Sequence, residues 1–205
     1  MYKKINRLIV LALMLMLVSI GYANAQGSNT VSPKLNTVSA KSMYPVFTLS
    51  PVAGAIFPMS ELGNSFEAGF NGGLDLGIRL NKELGLYTKA GYYSLTNNTQ
   101  GSPNSSYIEI SAGPRYYFMT KKLKSAFFLE GGVGAYVYSQ DAYTVGEQTF
   151  DRISNTNVGI NVGPGFTLQM SKSIDIILKS KYTMVFNDAG TRSFLTALGG
   201  LEFKF

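Results

Sequence analysis

Between residues 157 and 169 the chain alternates without a break. Val158, Ile160, Val162, Pro164, Phe166 and Leu168 fall on one side, and Asn157, Gly159, Asn161, Gly163, Gly165, Thr167 and Gln169 on the other. A period of two predicts a strand whose faces meet unlike surroundings. Segment 195–205 repeats it, with Leu195, Ala197, Leu201, Phe203 and Phe205 opposite Thr196, Leu198, Gly200, Glu202 and Lys204. Segments 66–80, 107–118, 127–138 and 174–186 follow the same rule. Segment 86–95 is blurred, and the faces of a first strand at about 44–57 are ambiguous in phase.

The links between these eight segments differ in length. Those near 81–83, 120–125 and 171–173 are short, and those near 58–65, 96–106, 139–152 and 187–192 are longer. Short turns on one side and longer loops on the other predict an all-β fold, an eight-stranded antiparallel up-and-down barrel of the transmembrane kind. An even strand number places both ends of the barrel on the short-turn side. The Gly-Pro steps 113–114 and 163–164 fall inside strands and predict a bulge or kink in the wall.

Period two does not say which face is inside. A soluble barrel would turn its apolar face inward, and glycine placement, charge balance and the ending of the last segment argue against that. Glycine collects on the polar face (Gly73, Gly77, Gly113, Gly132, Gly134 and Gly163 among others), and an eight-stranded barrel is barely wide enough for side chains. Charges on that face balance: Glu67, Asp75, Glu109, Glu130, Asp175 and Glu202 oppose Arg79, Lys89, Arg115, Lys179, Lys181 and Lys204. Charges withdrawn from water persist when paired. Aromatics gather near strand ends, at Phe47, Phe57, Phe66, Tyr116, Tyr117, Phe118, Phe127, Tyr182 and Phe186, as interfacial girdles would.

The last segment closes on an aromatic preceded by a glycine and a second aromatic: Gly200, Phe203 and Phe205. This resembles the terminal strand of outer-membrane barrels, read as a membrane-assembly signal, although Leu198 stands where a polar residue is usual. With the strand rhythm, it makes residues 44–205 similar to the small outer-membrane barrels that include OmpA-type transmembrane domains, OmpX and the porin-family barrels of the Bacteroidetes. The resemblance implies integral outer-membrane residence, contact with outer-membrane lipid and lipopolysaccharide, and insertion by the barrel-assembly machinery. It carries fold and location more than function.

The N-terminus fits export. Lys3, Lys4 and Arg7 precede an uncharged run from Leu8 to Ile20, and Ala23-Asn24-Ala25 supplies a small-x-small cleavage pattern. A run of 13 residues at about 1.5 Å each reaches about 20 Å, short of a hydrocarbon core of about 30 Å. Residues 1–25 are therefore expected to be a cleaved signal peptide, and 26–43 a flexible polar lead. Without the three signal charges the formal net charge falls from +6 to +3, which gives no ground for a nucleic-acid partner.

The chain has neither histidine nor cysteine. Chemistry that needs an imidazole or a thiol is excluded, and ordinary zinc sites lose their ligands. No cofactor or metal is expected. Asp141, Glu147 and Asp151 in the longest loop match no cation-binding spacing. Glu109 and Arg115 suit a structural ion pair better than an acid–base pair, and Lys82, Lys121, Lys122, Lys124 and Lys172 suit solvated turns. The expected protein is a non-enzymatic outer-membrane barrel whose lumen is plugged by balanced charges and by Tyr87, Tyr93, Tyr117, Tyr136 and Tyr138. A narrow channel for small solutes or ions is the alternative, and a surface adhesin or receptor acting through the 96–106 and 139–152 loops a third.

Overall fold

The computed structural model describes residues 44–98, 103–119, 125–145, 147–188 and 190–205. The signal and lead segments, and Lys121, Lys122 and Lys124, lie outside them. The wall consists of β1 (Val46–Met59), β2 (Gly69–Arg79), β3 (Leu84–Leu95), β4 (Ser105–Met119), β5 (Ser125–Gln140), β8 (Ile153–Gln169), β9 (Ile174–Asn187) and β10 (Gly190–Lys204). Each pairs antiparallel with its neighbour along the wall, and β1 pairs with β10 to close an eight-stranded barrel. Closure removes the open sheet edges that would otherwise present unpaired backbone groups.

Two short turns share one device. In the β2–β3 turn Asn81 Oδ1 accepts from the backbone N–H groups of Glu83 and Leu84, both at 2.8 Å. In the β8–β9 turn Ser171 Oγ accepts from those of Ser173 (3.2 Å) and Ile174 (3.0 Å). A short side chain that caps its own turn favours a tight reversal and sets the strand register. Both barrel ends meet on this side, where the Phe205 N–H donates to the Phe47 carbonyl at 2.9 Å.

The long-loop side holds elements that the alternation does not announce. A one-turn helix α1 (Glu61–Ser65) follows β1, and a hairpin of β6 (Tyr143–Val145) and β7 (Gln148–Phe150) extends the β5–β8 connection. Strands β8 and β10 start at Ile153 and Gly190, before the apolar rhythm begins. Residues 153–156 are exposed on both faces, and in β10 the exposed Gly190 and Thr191 give way to a half-buried Arg192 and buried Ser193 and Phe194, so neither start shows a regular alternation.

The expected bulges at the Gly-Pro steps are absent. Ala112 pairs with Val133 and Arg115 with Glu130, so the numbering stays in step across Pro114. The same holds across Pro164, between the Val162–Tyr182 and Gly165–Lys179 pairs. Proline deletes a ladder rung by lacking an N–H, and no extra residue enters.

The phase of β1 is now set: Thr48, Ser50, Val52 and Ile56 are buried inside the barrel. Large apolar residues cover the exterior, including Phe70, Leu76, Ile108, Ile110, Leu129, Val158, Val162 and Leu178, with Ile110 62% and Val158 63% exposed. Phe47, Phe57, Tyr116, Phe118, Phe127 and Phe186 are exposed toward the wall's two rims. Phe66, expected with them, is buried instead, and Tyr117, expected both at the rim and in the lumen, is buried in the lumen. Tyr117 shares the face of Glu109 and Arg115 on β4, and Phe66 lies beyond the wall, folded back over the mouth.

Candidate functional site

The interior is a filled core in three levels. At the long-loop end Ile56, Tyr93, Leu95, Tyr107, Tyr136, Tyr138, Val185 and Phe194 pack with Leu62 and Phe66. Phe194 is the hub, with ring centroids 5.4 Å from Tyr93 and 5.8 Å from Tyr107. Leu62 and Phe66 belong to α1 and its cap, which backbone bonds tie to the β3 end: Glu67 N–H to the Thr96 carbonyl and Asn98 N–H to the Ser65 carbonyl, both 3.0 Å. At the short-turn end Val52, Tyr117, Ala126, Phe128, Ile177 and Leu198 form a second apolar cluster.

Ionised groups occupy the level between, in two knots. In the first, the Glu109 carboxylate (0% exposed) accepts from Lys181 Nζ at 2.5 Å, Ser111 Oγ at 2.6 Å and Tyr136 at 3.0 Å, and also from the Tyr93 hydroxyl. Lys89 Nζ lies 4.0 Å away. In the second, Arg115 donates to Glu130 through Nε at 3.0 Å and Nη2 at 2.6 Å. It also faces Asp75 and Glu202 at 3.5 Å each. Lys179 bridges Glu130 at 2.9 Å and Asp75. The first knot pairs two cations with one anion, and the second two cations with three, so their excess charges are opposite and neighbouring. Removing Glu109, the one anion of the first knot, costs about 3–5 kcal/mol, because Lys181 and Lys89 then stay buried without a counter-charge.

The charged residues expected on the inner wall lie there, except Glu67. β2 begins at Gly69, which leaves Glu67 exposed in the preceding loop. Arg79 and Lys204 sit at the short-turn mouth, Arg79 with its guanidinium 4.0 Å from the Tyr117 ring centre and Lys204 with its ammonium 2.6 Å from Asp175. Without Glu67, five acids face six bases, and the extra positive charge falls at that mouth. Gly200 is on the inner wall, where a Cβ would lie 2.1 Å from the Pro51 carbonyl oxygen; Phe203 pairs with Leu49, and Phe205 is exposed.

Small residues opposite large ones make the filling possible. A Cβ on Gly165 would lie 2.1 Å from Phe128 Cζ, and one on Gly132 2.6 Å from the Tyr87 hydroxyl. Tyr87 donates to Asn161 Oδ1 at 2.7 Å, and Asn161 Nδ2 donates to Tyr136 at 3.1 Å. Tyr107 and Ser111 share the β4 face of Glu109 and Arg115, and Asn161 lies on the inner face of the uncharged β8, so a search for charge passes over all three. Arg192, which lies over the Tyr138 ring at 4.6 Å, precedes the recognisable alternation.

Every carboxylate of the two knots is buried and engaged by cations or hydroxyls of the wall. Among the described residues no group of three or more potential ligands gathers to hold a metal ion, and Asp141, Glu147 and Asp151 do not converge.

These features define a small, closed, eight-stranded antiparallel barrel with an apolar exterior and an ionic core. No family model and no curated protein matches the chain. Solved structures do match. Neisserial surface protein A aligns with a TM-score of 0.59 and 20% identity over 78% of this chain and 97% of that one. A major outer membrane protein from Thermus thermophilus gives 0.56 and 15%, over 78% and 99%. The outer membrane protein OprG from Pseudomonas aeruginosa gives 0.53 and 11%, over 78% and 96%. At these identities the likeness is one of fold.

Proposed function

We propose that this chain is a non-enzymatic integral outer-membrane barrel with a sealed lumen and a structural or interaction role. Its apolar exterior supports membrane residence, since contiguous apolar surface on this scale needs a non-aqueous neighbour. In this reading the short turns face the periplasm and the long loops the outside. Outer-membrane lipid and lipopolysaccharide surround the wall, residues 1–25 are a cleaved export signal, and Gly200, Phe203 and Phe205 serve recognition by the assembly machinery. The terminal aromatic and strand rhythm support a place near OmpA-type transmembrane domains, OmpX and the porin-family barrels of the Bacteroidetes.

The observation that carries the reading is the stack of two apolar clusters on either side of the buried ion-pair level. An ion crossing this interior would have to displace both clusters and break the knots. Open aqueous channels arise in much wider barrels, of about 16 strands. Planar-bilayer recording on the refolded protein, with a heat-dependent gel shift as the folding control, is expected to give a folded but electrically silent barrel. Steady, reproducible openings would replace this proposal with the narrow-channel alternative.

One further observation favours interaction over a purely structural role. β8 pairs with β5 from Ile153 onward, but with β9 only from Val158. Residues 153–157 thus have a ladder on one side alone among the described residues. Ile153, Ser154, Asn155 and Thr156 are exposed, and the Tyr143–Phe150 stack (4.8 Å, 12°) stands in the adjoining hairpin. A one-sided ladder can accept an extended segment of a partner by strand addition.

A further inference from the structure

A blind cavity of about 530 Å³ opens at the short-turn mouth, among the ends of β1, β2, β5, β8, β9 and β10. Ala126, a member of the lower apolar cluster, lies in its lining, so the cavity stops where the seal begins. Its wall is polar although withdrawn from solvent: Thr48, Ser125, Thr167, Asp175 and Glu202 line it and are each buried. Ser125 is only 6% exposed, and its Oγ has no hydrogen-bond partner among the described residues. A hydroxyl held away from water without a partner is unfavourable unless something else fills the place.

The charges lining the cavity are unequal. Arg79, Lys172 and Lys204 face two acids, Asp175 and Glu202. Asp175 already accepts from Lys204 at 2.6 Å, and Glu202 has Arg115 behind it at 3.5 Å. The Arg79 guanidinium is held over the Tyr117 ring, with one nitrogen donating to the Lys82 carbonyl at 2.7 Å. A fixed planar guanidinium, ammonium groups and a buried hydroxyl lining one cavity suit an oxyanion with several acceptor oxygens. The two carboxylates are acceptors, matched to ligand hydroxyls, and the cavity has room for several times the volume of a bare phosphate.

From this geometry we infer a binding site for a polyol phosphate ester, with Arg79, Lys172 and Ser125 on the phosphate and Asp175 and Glu202 on the hydroxyls. The inference rests on the sealed-barrel reading only in treating the cavity as blind. The same chemistry comes from two sources, a soluble phosphate ester or the glycerophosphate headgroup of a surrounding phospholipid.

Calorimetric titration of the folded full chain in an uncharged detergent at low salt, with glycerol 1-phosphate as the probe, tests it. Saturable binding is expected, weakened at least tenfold in the Ser125→Ala/Lys172→Gln double variant and unchanged in Lys82→Gln, whose side chain lies outside the cavity. A gel shift confirms that each variant is folded. The site is refuted by an absence of saturable binding, by equal affinity in the double variant, or by equal competition from glycerol. The source is read in nanodiscs: loss of binding only in phosphatidylglycerol, not in phosphatidylcholine, identifies the headgroup as occupant, and retention in both identifies a soluble ester.

Discussion

Replacing Glu109 by glutamine isolates the energetic logic of the core. The change keeps the side chain's shape and an acceptor oxygen for Tyr136, Ser111 or Tyr93, but deletes the charge that faces Lys181 at 2.5 Å and Lys89 at 4.0 Å. Both lysines are buried, at 0% and 1% exposure, so water cannot replace the carboxylate. Breaking a buried pair from one side costs about 3–5 kcal/mol, a factor of about a hundred to a few thousand in the folding equilibrium. The assay is urea unfolding in lipid vesicles, followed by the gel shift. Lys181→Met should be destabilising alone, and the double variant should cost less than the sum, with a coupling of about 0.5–3 kcal/mol. If E109Q stays within about 0.5 kcal/mol of the parent, as surface substitutions do, the knot is not under ionic tension and the reasoning fails.

Ile110→Arg places a charge on the outer wall and is expected to cost about 2–4 kcal/mol in vesicles, whereas in a soluble barrel it would be neutral; unfolding in vesicles decides. Gly165→Ala should destabilise the barrel by about 1–3 kcal/mol through collision with Phe128, and Phe128→Leu should relieve part of the loss in the double variant, by the same assay. Asn155→Pro should abolish capture of an extended peptide by the 153–157 edge while leaving vesicle unfolding unchanged, which a peptide-array screen of parent and variant would show.

The alternation marked the eight wall strands and separated two faces in seven of them, less sharply in β3, because each wall residue meets either an apolar exterior or a crowded polar interior; which face turns inward took the glycine placement and the charge balance as well. In β1 that contrast fails: Pro51, Ala53, Gly54 and Ala55 are too small or too neutral to mark a face, and Ser50 shows its side only by donating to Glu202 at 3.5 Å. The charged residues were visible from parity, since inner positions share odd or even numbers within a strand. Their grouping was not, because Glu109 meets Lys181 and Asp75 meets Lys179 across the lumen, between strands far apart in sequence. Glu67 had the parity but not the place, for parity is informative only while the chain remains a strand.

The contrast between wall and ends bears on where such a protein can act. Within the wall, bulky inner residues have small ones opposite, as Phe128 has Gly165 and Tyr136 has Gly159, and the ionic level ties β2, β4, β5 and β9 through Asp75, Arg115, Glu130 and Lys179. Interiors packed this way change by discrete rearrangement rather than gradual deformation. Variation in the loops, by contrast, touches neither knot. The exposed β6–β7 hairpin and the one-sided edge of β8 lie beyond the last lumen contacts on one side, and the Arg79–Lys204 mouth lies beyond them on the other. A rigid wall between two chemically different ends can present one surface at the long-loop side and another at the short-turn side. On that argument, substitutions at the two ends should alter partners independently, and neither should alter conductance.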